Sequence, residues 1–118
     1  MKLRNILSNE VVKGSAGGDY DDLESNLVEP NCFIEITHVA VENRTTAYTR
    51  LTIGIAGGLD FYEKEEQDSP AVDNIYWTRS KFLIPAGKKL RARLTGCTSG
   101  DDLHMTYEGF LWEVDKHV

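Results

Sequence analysis

The sequence predicts an all-β fold, a sandwich or small barrel of antiparallel strands, on three observations. Between Cys32 and Val114 the apolar residues recur with period two. Gly, Pro, Asn and Asp turn signals cut this stretch into about six to eight short strands at roughly 8 to 12 residue spacing. No helical stripe of useful length competes. A chain of 118 residues fits one domain with a single hydrophobic core, and 41% hydrophobic with 27% charged residues is the composition of a folded globular chain.

Residues 1–31 read as an irregular arm. "NILSNEVV" could form a short strand, but "KGSAGGDYDD" is a glycine and aspartate cluster, and such clusters mark loops. An arm of this length holds few core residues and is expected to be ordered by a neighbour. From Cys32 to the end at 118 the pattern is that of the sandwich domain. "FIEITHVAVE" is rich in β-branched residues; "AYTRLTIGI" sets Ala47, Thr49, Leu51, Ile53 and Ile55 on one side against Tyr48, Arg50 and Thr52 on the other. With "ENRTT" as a polar turn, the two read as a hairpin. "LDFYEKE" reads as a more exposed strand and "EQDSPAVDN" as a polar excursion.

"RSKFLIPAGKKLRARLTG" reads as a second hairpin about Pro85 and Gly87, with Ser80, Phe82 and Ile84 sharing one face before the turn and Leu90, Ala92 and Leu94 after it. In the last run, Leu103, Met105 and Tyr107 are in phase up to Gly109. Beyond it Phe110, Trp112 and Val114 take the opposite parity, which predicts a bulge or bend at the glycine and places Trp112 in the core.

A net charge of -6 argues against a dedicated nucleic-acid binder, since duplex affinity rests on Lys and Arg neutralising phosphates. The opening "MKLRNILSNEVVKG" has no sustained apolar run and does not read as a secretory signal, and no segment approaches the roughly 20 apolar residues of a membrane span. A cytosolic origin follows as the expectation. Cys32 and Cys97 lack metal-ligand spacing and are expected as buried thiols.

Five cations, Arg79, Lys81, Lys89, Arg91 and Arg93, fall on the outward parity of the second predicted hairpin, and no acidic residue interrupts the run from Asn74 to Gly100. Like charges across a strand pair are destabilising, so this ladder needs an anionic complement. Asp102 and Glu108 on the last strand are the expected internal one, and an acidic patch on a neighbouring subunit is the external alternative. Tyr76 and Trp77 could form an aromatic platform, with packing at the sandwich edge as the plainer reading. "GGDYDDLE" offers carboxylates but misses the calcium-loop pattern. "NRT" at Asn43 and "GDD" at Gly100 both read as turns. His38, His104 and His117 are dispersed, with no nucleophile signature beside them. The chain is therefore read as a non-enzyme, with no catalytic, cofactor-binding or metal-ligating residues.

The runs "FIEITHVAVENRTTAYTRLTIGI", "FLIPAGKKLRARLTG" and "TSGDDLHMTYEGFLWEV" together resemble, strand by strand, small jelly-roll structural proteins of tailed-phage particles, the capsid decoration (cement) and neck or tail accessory proteins. The resemblance covers about two thirds of the chain and implies a jelly-roll-like antiparallel β-sandwich with an irregular N-terminal arm. It further implies a homo-oligomeric virion protein, assembled in the host cytoplasm, that stabilises a phage particle by contact with capsid or neck/tail proteins. Neither cofactor, membrane nor nucleic acid is implied. The expected partner-binding residues are Arg79, Lys81, Lys89, Arg91, Arg93, Tyr76 and Trp77. The alternative is a carbohydrate-binding or receptor-binding β-sandwich module that uses Tyr76 and Trp77.

Overall fold

The structure, a computed structural model, describes residues 1–114; His117 lies outside the described residues. It is an all-β sandwich of strands β1 (Lys2–Gly14), β2 (Tyr20–Glu24), β3 (Cys32–Asn43), β4 (Arg50–Gly57), β5 (Asp60–Asp68), β6 (Tyr76–Trp77), β7 (Phe82–Pro85), β8 (Lys89–Thr95) and β9 (Asp102–Glu113). Sheet I has the order β1-β9-β3-β6, with β7 also paired to β3, and sheet II the order β2-β8-β4-β5. Every pairing is antiparallel. Among the described residues only β4 and β5 form a hairpin, and β6 and β7 share one edge; every other connection between these strands passes from one sheet to the other. That alternation is jelly-roll topology.

The two hairpins expected from the sequence are corrected by this topology. β3 and β4 lie in different sheets, as do β7 and β8. The apolar side chains meet across the core instead of side by side: Ile36, Val39 and Val41 of β3 face inward from sheet I, and Leu51 and Ile53 of β4 from sheet II, all fully buried. Period two tells which residues turn inward but not which sheet they turn inward from.

The irregular arm is also corrected. β1 pairs with β9 along nearly its whole length, and β2 pairs with β8. "YDDLE" forms a strand despite its low β-propensity because Asp21 and Leu23 are buried inward while Tyr20, Asp22 and Glu24 turn outward. Tertiary pairing overrides the local preference.

Gly109 marks a bulge, but on the neighbouring strand. The register slips between Ile36 and His38 of β3, and a Cβ on Gly109 would stand 2.2 Å from the Glu35 carbonyl oxygen. The glycine makes room for the bulged backbone. β9 keeps its parity through this point: Leu111 pairs with Ile34 and packs against the core, so Phe110 and Trp112 turn outward with Thr106 and Glu108. The expected inward turn of Phe110, Trp112 and Val114, and a core position for Trp112, are therefore replaced by an outward, half-buried Trp112 and an exposed Val114.

Candidate interaction surfaces

Sheet II carries the charged outward face. β8 presents Lys89, Arg91 and Arg93, and the register sets Glu24 opposite Arg91 and Asp22 opposite Arg93. Arg93 donates to both oxygens of Asp22, at 2.9 and 3.1 Å, while Glu24 accepts from Arg91 at 2.6 Å and from Lys89 at 3.0 Å. Burial would raise the Glu24 pKa, but the hydrogen bonds from Arg91 and Lys89 win and hold its carboxyl below the ordinary range. The Arg93 guanidinium also lies 3.8 Å from the centre of the Tyr20 ring, and Arg91 and Arg93 each lie 5.2 Å from that of Phe61. The cationic stripe thus has an internal complement, but not Asp102 and Glu108, which belong to the other sheet. The acidic run at Asp21 to Glu24, read from sequence as a loop, supplies it.

Arg79 and Lys81 do not join that stripe. They lie in the exposed segment between β6 and β7, on the sheet I side. What fixes this segment is Glu65, which faces inward on β5 opposite Ile53. Its carboxylate accepts from the Tyr76 hydroxyl at 2.6 Å, from the Arg79 N–H at 2.9 Å and from the Ser80 N–H at 3.1 Å. Burial works against the charge, yet these bonds keep Glu65 below its usual pKa; burial and Glu65 together push Tyr76 up to about 12. One carboxylate of sheet II therefore ties down the edge of sheet I. Sequence reading missed Glu65 because it sits among four acidic neighbours with no mark of its inward aim.

Tyr76 and Trp77 are parted by the strand alternation between them. Tyr76 is buried, whereas Trp77 is 62% exposed and its ring centre stands 6.0 Å from that of His38 on the outer side of sheet I. The turn at Gly100 leads into β9 as expected, whereas the bend after Asn43 closes no hairpin and carries the chain across to the other sheet. Asp101 is buried and accepts from Asn43, Thr46 and the Thr98 N–H, and the fully buried Asn43 holds the 45–46 backbone. Asp21 accepts from Ser15 and the Ala16 N–H. Among the described residues, no group of three or more His, Cys, Asp or Glu is placed to hold a metal ion. Cys32 and Cys97 are free and buried, and burial pushes the Cys97 thiol up to about 11.

The outward face of sheet I is apolar at one end. The ladder registers align Leu3, Trp112, Phe33 and Pro85 in one row across β1, β9, β3 and β7, and Ile6, Phe110, Glu35 and Leu83 in the next. Seven of these eight side chains are apolar, and Ile6 is 67% and Leu83 57% exposed. Glu35 is the exception, and its Oε1 accepts the Trp112 Nε1–H at 3.1 Å. The polar group inside the patch is thus already partnered. Toward the other end the face turns polar, with Glu42, Arg44, His104 and Thr106; the His104 ring lies 2.8 Å from Asp102.

No protein-family model matches the chain, and no curated protein sequence is significantly similar to it. A solved structure described as "CBM4 structure and function" is similar at a TM-score of 0.37 and 12% identity, over 90% of this chain and 83% of that one. Likeness at that level bears on neither function nor site.

Proposed function

We propose that this protein works by contact, without catalysis, as a structural subunit that docks the apolar face of sheet I onto a larger particle and stabilises it. The phage decoration or neck/tail accessory role implied by the sequence resemblance is the form of this proposal we favour. The observation that carries it is the pair of apolar rows from Leu3 to Pro85 and from Ile6 to Leu83 on the outward face of four adjacent strands, exposed on β1 and β7 and half-buried on β9 and β3. Single apolar side chains on a surface need no explanation, but a contiguous aromatic and aliphatic patch on a rigid sheet is what partner surfaces are made of. A subunit that recognises only the assembled partner stabilises the assembly by mass action.

The test is cosedimentation of the purified protein with particles assembled from the genes around its own. The native chain is expected to sediment with the particles in fixed proportion, and Leu83→Glu to remain in the supernatant. A native chain left in the supernatant, or a Leu83→Glu variant that still sediments, overturns the proposal.

A second reading, carbohydrate binding, rests on the exposed Trp77 beside His38, an open ring face of the kind sugars stack on. Saturable quenching of tryptophan fluorescence by a saccharide, lost in Trp77→Ala, would support it. Unchanged fluorescence across a saccharide panel would remove it.

A further inference from the structure

We propose that two copies of this chain pair through β1, edge to edge and antiparallel about a two-fold axis at Asn9, so that sheet I runs continuously through both. The inference is independent of what the apolar face contacts and starts from the four sheet edges. Free edges invite pairing, and folded proteins blunt them with short strands, charge, proline or bulges. Among the described residues, three of the four edges are blunted in these ways. One edge of sheet I is broken into the short β6 and the short β7, which ends in Pro85. In sheet II, β2 is short, while β5 is bulged at Lys64 and carries Glu63 and Glu66. The fourth edge, β1, is 13 residues long and free of proline, and its stretch from Asn5 to Val12 holds a single charge, Glu10.

β1 also presents its hydrogen-bonding groups in the right phase. The Ser15 N–H and C=O bond Asp101 and Gly100, across toward β9, whereas the Ile6 N–H is taken by the neighbouring Asn5 side chain at 2.9 Å. Antiparallel ladders alternate, so Ile6, Ser8, Glu10 and Val12 direct their backbone groups away from β9. These are the groups a further strand would use, the Ile6 N–H exchanging the Asn5 side chain for the second copy's backbone.

The sequence of β1 reads alike in both directions. From Asn5 to Lys13, "NILSNEVVK" is polar, apolar, apolar, polar, Asn9, polar, apolar, apolar, polar. Pairing about Asn9 sets Ile6 opposite Val12 of the second copy on the outward face, Leu7 opposite Val11 on the inward face, and Ser8 opposite Glu10. Ile6 and Val12 are the exposed apolar residues of this stretch, 67% and 52%, and each covers the other. The neighbouring registers are poorer. Centred on Ser8, the pairing sets Ile6 against Glu10 and Leu7 against Asn9; centred on Glu10, it opposes two like charges. The bulge between Leu3 and Asn5 falls just outside the paired span and ends it. A two-fold contact of this kind is isologous and closes at two copies.

Sedimentation velocity from micromolar to millimolar chain concentration tests the proposal. The native chain is expected to pass from monomer to dimer. Ser8→Pro removes an N–H that the chain's own ladder does not use, and is expected to weaken the dimer roughly tenfold or more at an unchanged far-ultraviolet dichroism spectrum. Oxidised Asn9→Cys is expected to give a covalent dimer on a non-reducing gel, with Glu10→Cys giving little. A native chain that stays monomeric throughout overturns the proposal, as does a dimer that persists undiminished in a folded Ser8→Pro. Should Ser8→Pro lose its β spectrum, the Asn9→Cys crosslink decides: its presence supports the pairing and its absence overturns it. Leu83→Glu, which is designed to abolish particle binding, leaves β1 intact and should dimerise as the native chain does, so the two proposals fail separately.

Discussion

On sheet II the outward side chains of β2 and β8 meet as opposite charges, Asp22 with Arg93 and Glu24 with Arg91 and Lys89, and half bury one another. At one end of sheet I the outward side chains of β1, β9, β3 and β7 meet as rings and hydrocarbon, half-buried on β9 and β3 and open to water at Ile6 and Leu83. The charged face looks the more suited to binding in the sequence, where five cations stand without a counterion for over twenty residues. Folded, it is the more self-sufficient of the two. Charge that is satisfied within the chain has little left to offer a partner, whereas exposed hydrocarbon gains whenever something removes it from water.

The strongest blow to this contrast would come from Gly109→Ala. The added Cβ would meet the backbone of β3, which cannot yield as a side chain can, and we expect a loss of about 3 kcal/mol in urea unfolding. Because the strain falls within the sheet that carries the apolar rows, those rows should be disturbed and the charged face spared. Next in size is Arg91→Ala, which strips Glu24 of its closest partner at a half-buried site. Its expected cost is roughly 2 kcal/mol, between the values for exposed and buried pairs.

Acid sharpens the comparison further. The Glu24 carboxyl has a folded pKa below its unfolded value, so its contribution to stability is present above about pH 4.3 and is lost as pH falls through the folded pKa. The native chain should therefore exceed Glu24→Gln in urea midpoint at pH 7, with the gap closing as acid carries the solution through the lowered folded pKa. Smallest of all is Leu83→Ser, on the open apolar face. Its stability should stay within about 0.5 kcal/mol of native, since the side chain is mostly in water already. A loss as large as that of Arg91→Ala would mean that the patch supports the fold itself.

Much of the sandwich was legible in the sequence. The alternation marks Leu51, Ile53 and Ile55 of β4, Leu90, Ala92 and Leu94 of β8, and Leu103, Met105 and Tyr107 of β9 as inward, and all are buried; it fails ahead of β4, where Tyr48 is buried and Ala47 and Thr49 are exposed, and beyond Gly109, where Phe110 and Trp112 turn outward. What was illegible is pairing. A period of two is indifferent to sheet membership, so connections that cross the core read as hairpins. β2 was hidden because Asp21, Asp22 and Glu24 have loop-like propensities and become strand-forming only against the arginines of β8, some seventy residues away. The apolar face was hidden for a related reason: Phe110 and Trp112 look like core residues when a bulge is assigned to β9, and become surface residues once it is found in β3.

The partnership of β1 with β9 joins nearly opposite ends of the chain. A ribosome delivers these two segments in the order least convenient to them: the first strand emerges long before the one it must lie against. Until then it is an adhesive ribbon, with Ile6, Leu7, Val11 and Val12 accessible on both sides, at risk from other nascent chains on the same message. Maturation of the sandwich is consequently a late, closing event. Its rate should be set by the search that brings the ends together rather than by any local structure formed on the way.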